Sequence, residues 1–266
     1  MQNHHNRVFS STKELKERQL TRRPHFDYRA KDVGKTAHFD VYSATILGQT
    51  GNQIAQAVLG RCEQDYQKLS QWFGVQIEHF NIIVAPLSEN QDGSGGAYHH
   101  TCLSADLYCD VQINPSIKTD VTNALVVAEE VEVFEAAQSK GWDCGGSNGE
   151  GLSRVLAEVL YPKILDGYAT AAEWLNSDRP DWVTRNNPTD VDPISNGCSV
   201  LFLYWLNSQL GYSWDKICQV AAPTLAETYR KLTNKNTPLS EFAGLLEKHF
   251  PVGRPSNLAK DNPFPL

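Results

Sequence analysis

The sequence has no apolar run of the roughly 18 residues that a membrane-spanning helix requires. Residues 1–23 are polar and lack the hydrophobic segment of a secretory signal. Together these absences predict a cytoplasmic protein with no membrane partner.

The sequence also has no excess of positively charged residues. The chain has 24 Lys and Arg residues against 31 Asp and Glu residues, a net charge of −7 and a pI near 5.6. This balance excludes nucleic acid as the main partner, and the basic residues between positions 13 and 23 are interpreted as a solvated arm. No GxxxxGK[ST] loop or strand-anchored GxGxxG is present, and no cofactor is predicted.

The six cysteines contain no CxxC pair, which excludes the usual zinc-ribbon and thioredoxin-like sites. Cys102 and Cys109 flank a short turn-like segment and could face each other across a hairpin. Reduced thiols are nevertheless expected, because disulfides are rare in cytosolic proteins.

The order of the predicted elements favours an α+β fold. Residues 1–36 form a polar leader expected to be flexible, and residues 37–266 are predicted to form a single domain. Within it, residues 37–165 hold a small mixed sheet with central helices, and residues 166–266 are mostly helical. Strands that come first and helices that come later are typical of α+β proteins, not of a βαβ alternation.

Residues 123–162 carry most of the candidate site. They predict two helices joined by a glycine-rich loop, and the first helix places Glu129, Glu130, Glu132 and Glu135 in an apolar run. Burying an unpaired charge is costly, so this many carboxylates on an apolar helix indicates a functional site. The second helix opens at residues 147–150, where Ser147 or Asn148 is predicted to cap it.

This region resembles the zincins, specifically the gluzincin (peptidase MA-like) branch of metallopeptidases, over residues 37–165. The resemblance rests on order and spacing. The segment DYQKLSQWFG precedes the apolar strand IIVAPL, and the glycine-rich hairpin GGAYHHTCLSADLYCDV follows. A helix with a central Glu comes next, and a second helix opens with a Glu about 20 residues later.

The zincin motif itself is degenerate. In zincins, His-Glu-x-x-His places two imidazoles on zinc, with the Glu as general base. The matching window here is EEVEV, residues 129–133. The resemblance puts Glu130 at the base position and Glu150 at the third-ligand position, but Glu129 and Val133 at the histidine positions. Valine cannot ligate a metal, so no metal ligand is predicted and ordinary zinc peptidase activity is expected to be absent.

Three functions follow from this degenerate site. The favoured one is a non-peptidase whose carboxylate-lined cleft binds a small molecule or peptide. The second is a metal-independent hydrolase or other enzyme that uses Glu130 and Glu150, with Glu129 or Glu132, as general acid and base. The third is an enzyme with a non-standard metal site, in which the carboxylates with Asp106 or Asp110 bind a hard cation. The oligomeric state is left open.

Further candidates surround the two helices. His99 and His100 are possible catalytic residues, but neighbours on a strand point to opposite faces, so at most one faces the site. Cys144 could act as a nucleophile only with one of these histidines as its base. The predicted ligand-binding side chains are those of Tyr98, Trp142, Asp143 and Arg154.

Two of these predictions have consequences for the site walls. Arg154 lies four residues after Glu150 and can form an ion pair with it, which is the purely structural interpretation of Glu150. The long polar loop at residues 178–196 is expected to form another wall of the cleft.

Overall fold

The computed structural model describes residues 29–85, 97–99, 101–110, 119–165, 170–189, 191–254 and 263–266. It confirms the predicted α+β class, with a small mixed sheet followed by a mostly helical C-terminal half. None of the helices in these ranges is long and apolar enough to cross a membrane.

The described strands form one mixed sheet in the order β1-β2-β3-β5-β4. Its three central strands run parallel, and each edge strand is antiparallel to its neighbour. Alternate residues of β2 and β3 are buried, as expected for strands with one face on a core. The strands are β1 (Ala30–Lys35), β2 (Phe39–Ala44), β3 (Phe80–Ala85), β4 (Ala97–His99) and β5 (Asp106–Asp110).

The leader prediction fails over its last residues. β1 pairs antiparallel with β2, so residues 30–35 belong to the sheet although they lack an apolar pattern. Most of β1 is exposed, which explains why hydrophobic periodicity could not reveal it. Residues 1–28 of the leader lie outside the described residues.

Two helices, α1 (Gly48–Leu59) and α2 (Cys62–Phe73), connect the parallel strands β2 and β3. The glycines at positions 48 and 51 predict a break after the strand, and the apolar spacing from residue 54 to residue 73 predicts a single helix. Instead α1 begins at Gly48, and the chain breaks at Gly60 and Arg61 before α2 starts. One parallel crossover is therefore built into the α+β fold.

The centre of the molecule is helix α3 (Thr119–Gln138), followed by α4 (Ser147–Leu160). Every residue of α3 from 122 to 135 is buried, as in a helix enclosed on all sides. It packs against α1, α2, α4, β4 and β5. Both predicted helices of the 123–162 stretch are confirmed.

The C-terminal half is a set of short helices, of which α6 (Pro193–Tyr204) packs on α4 and α7 (Trp214–Gln219) packs on α2. An ideal Cβ at Gly151 would lie 2.4 Å from Ser199 Cβ, so α4 and α6 approach closely only because residue 151 has no side chain. The pattern of residues 214–234 predicts one amphipathic helix, but the chain forms two, α7 and α8 (Leu225–Thr233). These elements are α5 (Thr170–Leu175), α6 (Pro193–Tyr204) with a π-helical extension (Trp205–Gln209), α7 (Trp214–Gln219), α8 (Leu225–Thr233) and α9 (Pro238–His249).

Candidate functional site

Helix α3 buries all four of its central carboxylates. Glu129, Glu130, Glu132 and Glu135 are 5%, 0%, 2% and 0% exposed. Successive residues of a helix are rotated by about 100°, so these side chains point in different directions from one helix. The structure accordingly gives them different partners.

Glu129 and Glu132 face the edge strand β4, where they meet His99. His99 Nδ1 lies 2.7 Å from Glu129 Oε2, and His99 Nε2 lies 3.8 Å from Glu132 Oε2. One donor atom from each of the three residues falls within 4.8 Å of the other two. We call His99, Glu129 and Glu132 the His–Glu–Glu cluster.

Burial makes any charge on the side chains of this cluster costly in free energy. His99 is fully buried, and its Nε2 has no hydrogen-bond partner among the described residues. Buried charges in proteins are paired or coordinate metals, so the cluster has the composition of a cation site.

Glu130, the predicted general base, lies elsewhere. Its two carboxyl oxygens have no hydrogen-bond partner among the described residues. Complete burial raises the pKa of Glu130 well above its ordinary range, and the charges of Asp65 and Glu63 raise it further. A general base must also reach the proton that it abstracts, and Glu130 is fully buried, so its predicted role stays a prediction.

Glu150, at the predicted third-ligand position, forms the ion pair that the structural interpretation expected. Its Oε1 accepts hydrogen bonds at 2.7 Å from both Nε and Nη2 of Arg154. Both side chains are buried. Arg154 is therefore a partner of Glu150 on α4, which confirms the predicted i, i+4 contact.

Glu150 also influences the last carboxylate of α3. Burial raises the pKa of Glu135 well above its ordinary value, and the charges of Glu150 and Asp143 add to the effect. The charges that raise the pKa of Glu130 are those of Asp65 and Glu63. Glu150 instead acts on Glu135. The two predicted catalytic carboxylates, Glu130 and Glu150, therefore have different charged neighbours.

The loop between α3 and α4 is covalently attached to the hairpin. Cys102 Sγ is bonded to Cys144 Sγ, with 6.1 Å between the Cα atoms. The prediction of reduced thiols is thus wrong for these two residues, and Cys102 pairs with Cys144 instead of Cys109. Sequence could not reveal this pairing, because 42 residues separate the two cysteines. A Cys144 in a disulfide is not available as a nucleophile.

Two predicted ligand-binding residues have structural contacts. Trp142 is buried, and its Nε1 donates a 3.0 Å hydrogen bond to the Cys218 carbonyl oxygen. Asp143 is exposed, and its Oδ1 accepts a 3.1 Å hydrogen bond from Gly145 N. These contacts order the loop, and binding roles for both residues stay predictions.

The start of α4 is capped from a distance. Neither Ser147 nor Asn148 caps the helix, since Gly146 occupies the N-cap position without a side-chain bond. Asn186 of the 178–196 loop supplies the acceptor: its Oδ1 receives hydrogen bonds from Asn148 N and Ser147 Oγ, each at 2.9 Å. That loop therefore packs against the helix that carries Glu150.

Some predicted residues fall beyond these contacts. His100 and the side chains of Tyr98 and Asp110 lie outside the described residues. Asp106 Oδ1 accepts a 2.7 Å hydrogen bond from Asn81 Nδ2, on the neighbouring strand of the sheet. It is not a member of the His–Glu–Glu cluster.

Glu132 and Cys102 are the residues that the sequence analysis undervalued. Glu132 follows Glu129 by three positions and shares its face of the helix, a spacing that could have selected it over Glu130. Cys102 follows His99 by three positions in the sequence. The Sγ atoms of Cys102 and Cys144 and one imidazole nitrogen of His99 also lie within 4.8 Å of one another.

Compared with known proteins, the chain matches no protein-family model, and no curated protein matches it. Its function is therefore inferred from the site geometry.

Proposed function

We propose that this chain is a zincin-like protein in which a His–Glu–Glu site for a divalent cation replaces the His-Glu-x-x-His zinc site. Of the three functions considered from the sequence, this is the non-standard metal site. Its ligands would be His99, Glu129 and Glu132. The observation that carries it is the buried imidazole whose ring nitrogens face two buried carboxylates, with Nε2 lacking a hydrogen-bond partner.

The donor set indicates the class of cation. One imidazole and two carboxylates are harder than the His₂Glu or Cys-containing sets that hold catalytic zinc, so Mn²⁺ and Fe²⁺ fit as well as Zn²⁺.

A three-residue site leaves coordination positions for water or a substrate oxygen. A bound divalent ion lowers the pKa of its water and supplies a nucleophile for hydrolysis. The residues of this chain would hold and orient the ion. We therefore favour metal-dependent hydrolysis over the acid/base pair of Glu130 and Glu150, because Glu150 is engaged by Arg154 and Glu130 is fully buried without a hydrogen-bond partner among the described residues.

The binding of a small molecule or peptide without catalysis remains a prediction. It requires an accessible cleft beside the cluster. Metal binding can be tested independently of that question.

The test is metal analysis of protein purified without chelator, followed by calorimetric titration of the stripped protein with Mn²⁺ and Zn²⁺. We expect one bound ion, with affinity about 10- to 100-fold weaker in Glu129→Gln and Glu132→Gln. Glu130→Gln is the matched control, since it changes a buried carboxyl on the same helix that is not in the cluster. Its affinity should be unchanged.

Two results would overturn the proposal. One is a folded protein that binds neither ion, which would make the cluster a buried ion-pair network. The other is metal binding that persists at full strength in both Glu129→Gln and Glu132→Gln, which would place the ion elsewhere.

A further inference from the structure

A second set of metal donors shares His99 with the His–Glu–Glu cluster. It consists of the Cys102 and Cys144 sulfur atoms and the imidazole, all within 4.8 Å of one another. His99 and Cys144 are buried, whereas Cys102 is partly exposed. The disulfide between the two sulfur atoms removes both thiolates from coordination.

We propose that the Cys102–Cys144 disulfide is a redox switch that determines which donors accompany His99. With the disulfide closed, only the carboxylate set is available. After reduction, two thiolates and the imidazole form a soft Cys₂His set, a ligand combination that suits Zn²⁺.

The geometry requires only a modest rearrangement. Zn–S bonds of about 2.3 Å in a tetrahedral site place two sulfur atoms about 3.8 Å apart, against about 2.05 Å in a disulfide. Both cysteines lie in turns, not within a helix or strand, and β4 holds His99 in place. Separation of the sulfur atoms therefore does not require a regular element to be disrupted.

The chemical step balances with a dithiol as reductant. A thiolate of the dithiol attacks the partly exposed Cys102 Sγ, and Cys144 leaves as a thiolate. The second thiol of the reductant then attacks the reductant sulfur that is bonded to Cys102 Sγ. This closes a disulfide within the reductant and releases Cys102 as a thiolate. The dithiol is oxidised, the disulfide gains two electrons, and any protons taken up by the two sulfurs are released when Zn²⁺ binds.

The two sets use the same imidazole, and its Nδ1 contacts Glu129 at 2.7 Å. On this proposal they are alternative sites that compete for His99. Competition between them rests on the proposed function, whereas the thiolate set does not depend on it.

The test uses Co²⁺ as a spectroscopic substitute for Zn²⁺. Metal-free protein is examined as oxidised and after treatment with dithiothreitol and removal of the reductant without air. We expect thiolate-to-cobalt charge-transfer absorption for one equivalent of ion in the reduced protein only. Zn²⁺ affinity should rise at least about 100-fold on reduction, because thiolates are the preferred zinc ligands. Both effects should disappear in Cys102→Ser and Cys144→Ser and persist in Cys198→Ala, which changes a buried free cysteine.

A measurement on the unaltered chain covers the case in which a variant fails to fold. In the reduced protein, Zn²⁺ should protect Cys102 and Cys144 from iodoacetamide, as read by peptide mass spectrometry. Reduced, folded protein without charge-transfer absorption, or without this protection, would overturn the switch. Mn²⁺ binding to the oxidised protein separately tests the proposed function, so either idea can fail while the other stands.

Discussion

Two histidine–glutamate pairs in this chain have nearly the same geometry and opposite environments. His38 Nδ1 lies 2.6 Å from Glu63 Oε1, with side chains 32% and 27% exposed. His99 Nδ1 lies 2.7 Å from Glu129 Oε2, with side chains 0% and 7% exposed. Contact distance alone therefore does not distinguish a surface ion pair from a candidate metal site.

The difference lies in solvation and in the third group. Water screens the His38–Glu63 pair, and such pairs contribute little to stability. The buried pair adjoins a second buried carboxylate, Glu132, so three ionisable side chains share one site that solvent does not reach. Four sets of variants test how burial changes the contribution of these charged groups to stability.

The largest effect is expected from His99→Leu. It leaves two buried carboxylates without their imidazole and should lower the free energy of unfolding of the metal-free protein by about 3–5 kcal/mol. His38→Leu is the matched variant and should cost less than about 1 kcal/mol. Urea denaturation of both variants measures the difference, and equal losses would mean that burial does not separate the two pairs.

A similar loss is expected where a buried carboxylate loses an arginine. Arg154→Met leaves Glu150 in a buried position and should destabilise the protein by about 3–5 kcal/mol. The double variant Glu150→Gln/Arg154→Met should recover part of that loss, because residue 150 then carries no charge that the arginine must offset. The same denaturation assay decides, and a double variant as unstable as Arg154→Met would refute a charge-based cause.

Glu130→Gln should act in the opposite direction, with an effect that depends on pH. Burial raises the pKa of Glu130 in the folded state above its ordinary value of 4.5. Its stabilising contribution is thus fully present below that value and is lost as the pH rises towards the folded-state pKa. In this range the unfolded chain releases the proton and the folded chain keeps it.

The loss amounts to at most about 1.4 kcal/mol per pH unit for one such group. Glu130→Gln should therefore flatten the decline of stability above pH 4.5, while Glu135 retains its own contribution. Unfolding free energies of both proteins between pH 4 and 8 provide the test. Parallel pH profiles would show that the Glu130 carboxyl ionises in the folded protein as it does in the unfolded chain.

The smallest effect is expected from Glu63→Gln. Partial burial raises the pKa of Glu63, but the hydrogen bonds from His38 and Thr36 together with the charge of His38 outweigh it, and the net pKa is lowered. The contribution of Glu63 is present above its unfolded pKa and is lost as the pH falls through its folded pKa, opposite to Glu130. The variant should lose about 0.2–1 kcal/mol at neutral pH and nothing at low pH. A loss that grows towards low pH would reverse this assignment.

Sequence reasoning predicted the elements around the candidate site better than the contacts between them. It predicted the carboxylate-rich helix and the helix after it, and of the two adjacent histidines His99 is the one that the structure places against α3. Glu130 was preferred over Glu132 because the resemblance to the zincin motif assigned it the base position. The two glutamates lie on different faces of the helix, and only Glu132 meets His99.

Local patterns were sufficient for much of the fold. Hydrophobic periodicity and glycine punctuation predicted β2, β3, α3, α4, α9 and the α+β class, because burial against a core imposes these patterns on neighbouring residues. They failed for the exposed edge strand β1 and for the break between α1 and α2. Sequence neighbours do not specify strand pairing, and a helical pattern continues across a short turn.

The residue pattern alone is enough to predict that one apolar helix buries several carboxylates, and hence where the candidate site lies. Which groups these carboxylates contact depends on the tertiary structure. His99 reaches α3 because antiparallel pairing places β4 at the sheet edge, and Cys102 meets Cys144 because the hairpin and the α3–α4 loop converge there. Such contacts join residues far apart in the chain, so their energies depend on burial and distance in three dimensions, which no local pattern encodes.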